Sequence, residues 1–310
     1  MDKEEQKRIG RRRFFQRLGL AVGACAGAYA DARYIEPRFI EVSRHTAFLP
    51  ELPLELDGMV VAQLSDIHYG PITPEATIRD AIALAVREKP DLVALTGDFI
   101  NNRTHQATQL APFLKPLQIA RFGVLACMGN HDYRRGGAVA KILQDEAGVR
   151  FLRNESTFVA PGLAVVGLED TTNGRPNAPQ AFAGVPDSAA CLYLTHSPTG
   201  IWGAMRRSCV ALSGHTHGGQ VRIPGFVPHH AVGMAGFPML DGWGVFDRAQ
   251  LFISRGVGMM HRPFRFLCPP EVAIVTLKRG DDVPQKTSDL ARRAAKRAEK
   301  ATVRVYRWLT

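Results

Sequence analysis

Two histidines, His215 and His217, lie one residue apart in the stretch SGHTHGG, with glycines on both sides. Alternate residues of an extended segment point to opposite faces, so this spacing alone does not bring two imidazoles together. Glycine permits main-chain turns that other residues adopt only with strain, and such turns let a loop approach a ligand closely. The stretch is compatible with a polar loop and with a metal site, and the remaining sequence has to decide between them.

Four further polar clusters could take part in the same chemistry, because each follows directly after a short apolar run. They are Asp66-Ile67-His68, Gly97-Asp98, Gly129-Asn130-His131-Asp132 and His196. Carboxylates, an amide and imidazoles without thiolates are typical of hydrolytic sites that hold Mn, Fe or Zn, rather than of structural zinc sites. A carboxylate shared by two cations lets them stand about 3.5–4 Å apart and clamp the oxygens of a phosphoryl group. The clusters therefore indicate a binuclear metal site.

The elements that must position these clusters are predicted from the apolar runs. The runs in MVVAQL, DLVALT, FGVLACM, ACLYL and CVAL are typical of buried strands. Apolar residues at helical spacing predict a helix between Pro74 and Pro90, and residues 137–147 predict a second. The later segments STFVA, LAVVGLE, QLFISR and EVAIVTL favour strands. We expect an α/β fold of two packed sheets flanked by helices, with ligands beyond the carboxyl ends of the strands.

In this order, the motifs D-x-H, G-D, G-N-H-D, H and G-H-x-H resemble the five motifs of the calcineurin-like metallophosphoesterases. The segments HTHGGQVRIP, SRGVG and CPPEVAIVTL are similar to the bacterial YaeI/YkuE-type phosphodiesterase branch of that superfamily, whose members often carry twin-arginine signals. The resemblance covers roughly residues 11–278. It implies a four-layer α/β/β/α sandwich of two mixed β-sheets flanked by helices, and hydrolysis of phosphoric esters.

The resemblance also implies a role for individual residues. The implied metal ligands are Asp66, His68 and His217 for one ion, Asn130, His196 and His215 for the other, and Asp98 as the bridge. His131 would lie outside the metal shell, near the leaving-group oxygen, with Asp132 orienting it. The implied cofactors are two divalent metal ions, Mn, Fe or Zn. A bridging hydroxide would attack phosphorus in line, while His131 stabilises developing charge and donates a proton.

The charge of the chain is concentrated at its two ends. Of a formal net charge of +10 over 310 residues, residues 1–30 contribute +4 and residues 281–310 another +4, which leaves +2 for residues 31–280. Such a distribution favours targeting or attachment through the ends, and we do not expect nucleic acid as a partner. No run of about 18 apolar residues occurs, which excludes a polytopic membrane protein.

Residues 1–30 are predicted to be a targeting segment. Arg11-Arg12, one further residue and then Phe14-Phe15 resemble a twin-arginine signal, and an apolar stretch from Leu18 to Ala30 follows. Cleavage after Ala30, lipidation at Cys25 and retention as a short anchor remain open at this point. A basic amphipathic helix or a disordered tail is the alternative interpretation.

The body is predicted to be a metallophosphoesterase domain over residues 31–280, followed by a basic tail over residues 281–310. The last 22 residues contain seven Lys or Arg, and their apolar residues fall near one helical stripe. The tail is interpreted either as an amphipathic helix on an anionic membrane surface or as a solvated segment. In the body, the isolated cysteines Cys127, Cys191 and Cys209 lie in apolar runs, which favours a core role.

The predicted function is that of a phosphodiesterase acting on a small molecule or lipid that contains a phosphodiester or diphosphate. It would be exported to the periplasm or the outer face of the cytoplasmic membrane, with membrane anchoring left open. One alternative is a UDP-2,3-diacylglucosamine pyrophosphatase acting on a lipid A precursor, which requires an inner-membrane position facing the cytoplasm. A non-catalytic metal-binding envelope protein is an alternative of another class, and a nuclease is disfavoured by the nearly neutral body.

Overall fold

Two six-stranded β-sheets form the centre of the protein in a computed structural model, which describes residues 3–133, 137–223 and 237–282. The first sheet has the order β1 (Glu41–Leu49), β12 (Glu271–Arg279), β2 (Val60–Leu64), β3 (Leu92–Thr96), β4 (Val124–Cys127) and β5 (Arg150–Phe151). The second has the order β10 (Gly242–Phe246), β11 (Ala249–Ile253), β9 (Cys209–Ser213), β8 (Ala190–Leu194), β7 (Leu163–Gly167) and β6 (Glu155–Ala160). Both sheets are mixed, because β12–β2, β10–β11 and β6–β7 pair antiparallel while the other neighbours pair parallel.

The two sheets pack face to face because successive strand residues point to opposite sides. Val61, Ala94 and Leu125 of the first sheet share one buried cluster with Leu192 and Val210 of the second. The alternating residues of the first sheet, by contrast, face helices on its outer side. Both faces of the strands are thus buried, which explains why they are apolar at nearly every position.

Helices cover the outer face of the first sheet. They are α2 (Glu75–Arg87), α3 (His105–Leu114) and α5 (Ala138–Ala147), and the short α4 (Asn130–Tyr133) follows β4. Ile78 and Ile82 of α2, Leu110 of α3 and Leu143 of α5 are buried against that sheet. A short helix, α6 (Ala178–Ala181), and the 3₁₀ turn Pro198–Gly203 contribute Ala181 and Ile201 to the core on the outer side of the second sheet. The predicted four-layer fold and both predicted helices are confirmed.

A long helix, α1 (Lys3–Ala30), precedes the sandwich and leads into a π-helical turn (Asp31–Ile35) and a 3₁₀ turn (Glu36–Arg38). None of the helices within the described ranges combines the length and apolarity needed to cross a membrane. All five cysteines are free, and Cys127, Cys191 and Cys209 are buried in strands as expected. The predicted basic tail lies outside the described residues from position 283 onward.

Candidate metal centre

The five polar clusters meet at one edge of the sandwich. Strands β2, β3 and β4 run parallel in one sheet and β8 and β9 in the other, so their carboxyl ends bring the loops that follow them together. Gln63 aligns the two sheets beneath the loops, because its Nε2 donates to Thr96 Oγ1 and to the carbonyl of Ser213, both at 2.9 Å. All the predicted ligands are buried except the half-buried His215.

The first predicted ligand group, Asp66, His68 and His217, is brought together as the sequence implied. The Nε2 atoms of His68 and His217 lie 3.1 Å apart, and His217 Nε2 lies 3.4 Å from Asp66 Oδ1. These three side chains form one group whose potential ligand atoms all lie within 4.8 Å of one another. The carboxylate of Asp66 is also fixed by the Ser65 hydroxyl at 2.6 Å.

The second group, Asn130, His196 and His215, is equally tight. Asn130 Oδ1 lies 3.2 Å from His196 Nε2 and 3.1 Å from His215 Nδ1, and the two imidazole nitrogens are 3.1 Å apart. His196 Nδ1 contacts the carbonyl of Thr96 at 2.8 Å, so this nitrogen carries a proton and Nε2 faces the site. This contact fixes the orientation of the imidazole.

Asp98 lies between the two groups. Its Oδ2 atom is 3.4 Å from His68 Nε2 of the first group and 3.3 Å from His196 Nε2 of the second. Its Oδ1 atom accepts the amide of His131 at 2.9 Å, which fixes the orientation of the carboxylate. One oxygen of Asp98 thus faces both positions at which a cation could sit.

The spacing of these atoms fits divalent cations. Ligand atoms about 2.0–2.2 Å from a metal ion lie roughly 3.0–3.5 Å from one another in octahedral or tetrahedral geometry. The contacts given above, between 3.1 and 3.4 Å, fall within that range. Nitrogen and oxygen atoms without a thiolate suit Mn, Fe or Zn. The residues present therefore fit a pair of metal ions.

Burial favours the neutral form of three of these histidines. It lowers the pKa of His68 to about 3 and that of His215 to about 4, and it holds the pKa of His217 well below its usual range. Neutral imidazole is the form that binds metal ions. These side chains are thus ready to act as ligands at neutral pH.

Asp98 and His196 behave differently because they attract each other. Burial raises the pKa of Asp98, but the attraction of His196 outweighs it and keeps that pKa well below its usual range. Burial lowers the pKa of His196, but Asp98 outweighs it and keeps that pKa well above its usual range. These opposite shifts favour the ionised carboxylate beside the protonated imidazole, and a cation would take the place of the proton that faces Asp98.

The main chain is strained at most of the predicted ligands. Five of the seven have a φ angle in the left-handed region: Asp66 (52°), His68 (46°), Asp98 (54°), His215 (72°) and His217 (50°). Asp and His tolerate this region better than most residues, but it remains uncommon for them. Strain of this kind clusters at functional sites, where the surrounding structure compensates for it.

The glycines next to the ligands allow the loops to touch. A Cβ atom at Gly129 would lie 2.2 Å from Asp98 Oδ1, and one at Gly214 would lie 2.1 Å from Asp66 Oδ2. Any side chain at these positions would displace a predicted ligand. This close approach explains the glycines that precede Asn130 and His215 in the sequence.

His131 lies beside the first group and is buried. Its ring is edge-on to that of His68 at 4.7 Å between centroids, and His68, Asp98 and His131 form a further group that could hold an ion. His131 Nδ1 contacts the carbonyl of Asn101 at 2.6 Å, so Nδ1 donates and Nε2 is left for another partner. The imidazole is thus held in one orientation at the rim of the site.

Asp132 makes contacts other than the one predicted for it. Its carboxylate accepts the amides of Asp98 and Gly129, both at 2.9 Å, and that of Phe99 at 3.0 Å. The orienting contact to His131 is made instead by the carbonyl of Asn101. The carboxylate of Asp132 therefore binds the main chain at Asp98 and at Gly129, and so ties two ligand loops together.

Two supporting residues were missed by sequence reasoning. Asn173 donates through Nδ2 to the carbonyl of Asn130 at 3.0 Å, and Arg265 is fully buried behind the loop of Asp66. Neither lies in a motif, and an asparagine in a turn or an arginine in a loop gives no signal in the sequence. Arg222 forms an ion pair with Asp241, and Arg255 forms ion pairs with Glu41 and Glu271.

Comparisons with known proteins place the chain among phosphoesterases. A family profile described as "Calcineurin-like phosphoesterase" matches residues 59–180. The chain is 33% identical over 289 residues to "Uncharacterized metallophosphoesterase YkuE" of Bacillus subtilis, covering 88% of this chain and 99% of the relative. It is 31% identical over 290 residues to "Phosphodiesterase YaeI" of Escherichia coli, covering 87% and 99%. It is 25% identical over 310 residues to "UDP-2,3-diacylglucosamine pyrophosphatase LpxG" of Chlamydia muridarum, covering 79% and 91%.

Proposed function

This chain belongs to the calcineurin-like phosphoesterase family and is a phosphoester hydrolase, and we propose that it acts as a phosphodiesterase with two metal ions. The observation that carries the proposal is the position of Asp98, one oxygen of which lies within 3.4 Å of a histidine from each ligand group. A single carboxylate between two such groups is what a binuclear centre requires.

The proposed ligands are the seven residues predicted from the sequence. Asp66, His68 and His217 would hold one ion, Asn130, His196 and His215 the other, and Asp98 both. When bound, divalent cations such as Mn, Fe or Zn would supply a water of lowered pKa as nucleophile and positive charge for the phosphoryl oxygens. Because the amide of Asn130 is neutral, the ligand set carries less negative charge than it would with a carboxylate at that position. The site with its cations would then be more positive, which favours an anionic substrate.

His131 is proposed to assist the leaving group. With Nδ1 donating to the Asn101 carbonyl, its Nε2 atom is available to donate a proton to the departing oxygen when the ring is protonated. Asp132 is proposed to act through the main chain, because its carboxylate holds the amide of Asp98 itself and the amide of Gly129, the residue before Asn130. The two residues therefore have separate roles.

The leaving group tests the role of His131. His131→Gln should lower kcat by about 10²–10⁴ for a diester with an alkoxide leaving group, and by much less for one that releases p-nitrophenolate, which needs no proton. The measurement is kcat for both esters in the wild type and the variant. An equal loss for both esters would show that His131 is not the proton donor.

Substitution of the bridging residue tests the metal centre itself. Asp98→Asn should abolish hydrolysis of bis-p-nitrophenyl phosphate in the presence of Mn²⁺ and lower the amount of metal bound per chain. Asp145→Asn, a carboxylate that forms an exposed ion pair with Lys141, is the matched control and should leave both unchanged. Unchanged turnover in Asp98→Asn would remove the bridging role.

A diphosphate substrate is the second candidate for the same site. The relative from Chlamydia muridarum is named a UDP-2,3-diacylglucosamine pyrophosphatase, and this chain covers 91% of its length. A panel of monoesters, diesters and nucleotide-linked diphosphates, assayed with metal content measured alongside, decides between the candidates. The higher kcat/KM identifies the substrate class, and metal binding without turnover of any of them would favour a non-catalytic envelope protein.

The organisation of the chain is proposed to follow its charge pattern. Residues 1–30 would target or anchor the protein, residues 31–280 would form the catalytic domain, and the basic residues 281–310 would contact an anionic membrane surface. Mass analysis of the mature N-terminus distinguishes cleavage after Ala30 from lipidation at Cys25 and from retention. Fractionation of a tagged chain distinguishes an exported body from one facing the cytoplasm.

A further inference from the structure

Exposed apolar side chains are concentrated on one part of the surface. Among the described residues, fifteen large hydrophobic side chains are exposed, and nine of them lie between positions 14 and 39. Three more lie at positions 221, 223 and 267, so only three are found elsewhere. Single exposed apolar residues need no explanation in a folded protein, but a concentration of this kind marks an interaction surface.

Six of these residues form what we call the junction patch, at the point where α1 meets the body. The junction patch consists of Tyr34, Ile35, Phe39, Val221, Ile223 and Leu267. Its largest exposures are 68% at Phe39 and 61% at Ile35. All six belong to residues 31–280, so the patch does not depend on whether residues 1–30 are retained.

Direct contacts join the segments that carry the junction patch. The amide of Leu267 donates to Glu36 Oε2 at 2.7 Å, and the amide of Arg265 donates to the carbonyl of Ala32 at 2.9 Å. Val221 forms a β-bridge with Phe266, and Phe266 donates to Gln220 at 3.1 Å. The three segments therefore lie side by side in the structure.

The junction patch lies next to the metal centre. Cys268 follows Leu267 directly, and its thiol donates to the carbonyl of His217 at 3.2 Å. Val221 is separated by only three residues from His217 in the chain. A partner that covers the junction patch would therefore also lie beside the first ligand group, which contains His217.

The charges around the patch identify the kind of partner. Arg38 and Arg262 are exposed in the segments that carry the patch, whereas the acidic Glu36 is buried and accepts the amides of Leu267 and Cys268. Where residues 1–30 are retained, helix α1 adds an exposed, uncharged stretch from Leu18 to Ala30 and the arginines at positions 11, 12, 13 and 17. Apolar and aromatic side chains bordered by arginines are the composition of surfaces that enter the headgroup region of anionic lipids.

We propose that the junction patch docks the body of this protein on an anionic lipid bilayer, with the metal centre beside the membrane. The substrate is then a phosphoester carried by a lipid, a conclusion that rests on the proposed phosphodiesterase function. The docking itself does not rest on it. A second copy of this chain is the competing occupant of the patch, and the experiment separates the two.

The test compares two triple variants of the full chain. Ile35→Gln, Phe39→Gln and Leu267→Gln together remove the apolar character of the patch. Leu54→Gln, Ile119→Gln and Phe158→Gln are the matched control, because those side chains are the three exposed elsewhere, at 71%, 65% and 49%. Both variants change only exposed residues, and equal thermal unfolding midpoints verify that both are folded.

Partition onto vesicles of phosphatidylcholine with phosphatidylglycerol is measured by flotation over a range of lipid concentrations. The patch variant should partition onto the vesicles at least about tenfold more weakly than the wild type, because it lacks three large apolar side chains that would be buried in the lipid. The control variant should partition as the wild type does. Equal partition of the two variants would overturn the docking. So would sedimentation showing a dimer, in the absence of lipid, that only the patch variant dissociates.

The substrate part is tested with one leaving group in two settings. A phospholipid with a p-nitrophenyl phosphodiester headgroup is presented in the same vesicles, and bis-p-nitrophenyl phosphate in solution. The patch variant should lose about tenfold in the ratio of vesicle to solution turnover while its solution turnover stays at the wild-type value. An unchanged ratio would overturn the lipid substrate, whereas no turnover of either ester by the wild type would refute the phosphodiesterase function and leave the flotation result to decide docking.

Discussion

Arg265 should support the metal centre from behind, although it lies in none of the motifs. It is fully buried, and its guanidinium donates to the carbonyls of Arg255, Gly256, Gly258 and Cys268. In the loop it holds, the amide of Gly258 donates to the carbonyl of Asp66 at 2.7 Å. Arg265 thus fixes the loop against which a predicted ligand rests.

The contribution of Arg265 to stability can be worked out from the carbonyls that accept its hydrogen bonds. The carbonyl of Gly256 also accepts the amide of Glu271, so Arg265→Met leaves three buried carbonyls without this donor. Each buried carbonyl left without a donor costs about 1–3 kcal/mol. We use the lower end of that range, because removing a buried charge offsets part of the cost, and expect the free energy of unfolding to fall by about 3 kcal/mol. A net stability of roughly 5–15 kcal/mol makes this a large loss.

The assay is urea unfolding in the presence of EDTA, followed by Mn²⁺ titration of the folded protein. Arg265→Met should lower the urea midpoint by about 1 M and weaken Mn²⁺ binding. Arg265→Lys should give an intermediate midpoint and an intermediate Mn²⁺ affinity, because lysine keeps the charge but has fewer donors. Arg262→Met is the matched control, since Arg262 is exposed in the same loop. If Arg265→Met and Arg262→Met share the wild-type midpoint and Mn²⁺ affinity, the reasoning is wrong.

Three further predictions concern the centre itself. Chelation by EDTA should lower the thermal unfolding midpoint, because ions bound only to the folded chain stabilise it by about 4 kcal/mol at a thousandfold excess over Kd. Asp98→Asn should reduce this response to EDTA. A wild-type midpoint that does not change with EDTA would contradict the proposed metal centre. Gly97→Ala should destabilise the protein more than Gly184→Ala does. The two glycines have similar φ angles, 85° and 78°, but only a Cβ at Gly97 would lie 2.5 Å from a main-chain nitrogen, that of Gly129. Equal urea midpoints for the two variants would argue against this close packing. Asn173→Ala should raise the Mn²⁺ concentration for half-maximal activity about tenfold, because it removes a donor behind the second ligand group, and an unchanged titration curve would exclude that support.

The layers of the fold could be predicted from the sequence because each element carries its own pattern. The strands are apolar runs that end in polar clusters, and α5 lies between Gly137 and Gly148, both with φ above 70°, as the glycine punctuation indicates. The pairing of strands could not be predicted in this way. The placement of β12 between β1 and β2, for example, depends on contacts between residues about 230 positions apart and on no local signal.

The ligand groups could be anticipated because metal binding restricts residue type. A carboxylate suits the role proposed for Asp98 because it can serve two cations, and the resemblance to the family motifs assigns the other ligands to each ion. The supporting contacts are not restricted in the same way. A main-chain carbonyl orients His131, and carbonyls have no identity in a sequence; the carboxylate of Asp132 binds amides, which every residue other than proline provides.

The strained main chain at the ligands explains why so many supporting contacts surround the centre. A non-glycine residue in an unfavourable φ region costs about 1–3 kcal/mol, so five such ligands cost roughly 5–15 kcal/mol, which is comparable to the net stability of a whole domain. Contacts to the main chain have to offset this cost. Asp132 holds the amide of the strained Asp98, and Arg265 holds Gly258, whose amide donates to the carbonyl of the strained Asp66. We therefore expect the affinity of the proposed centre for metal to depend also on residues that never contact the ions.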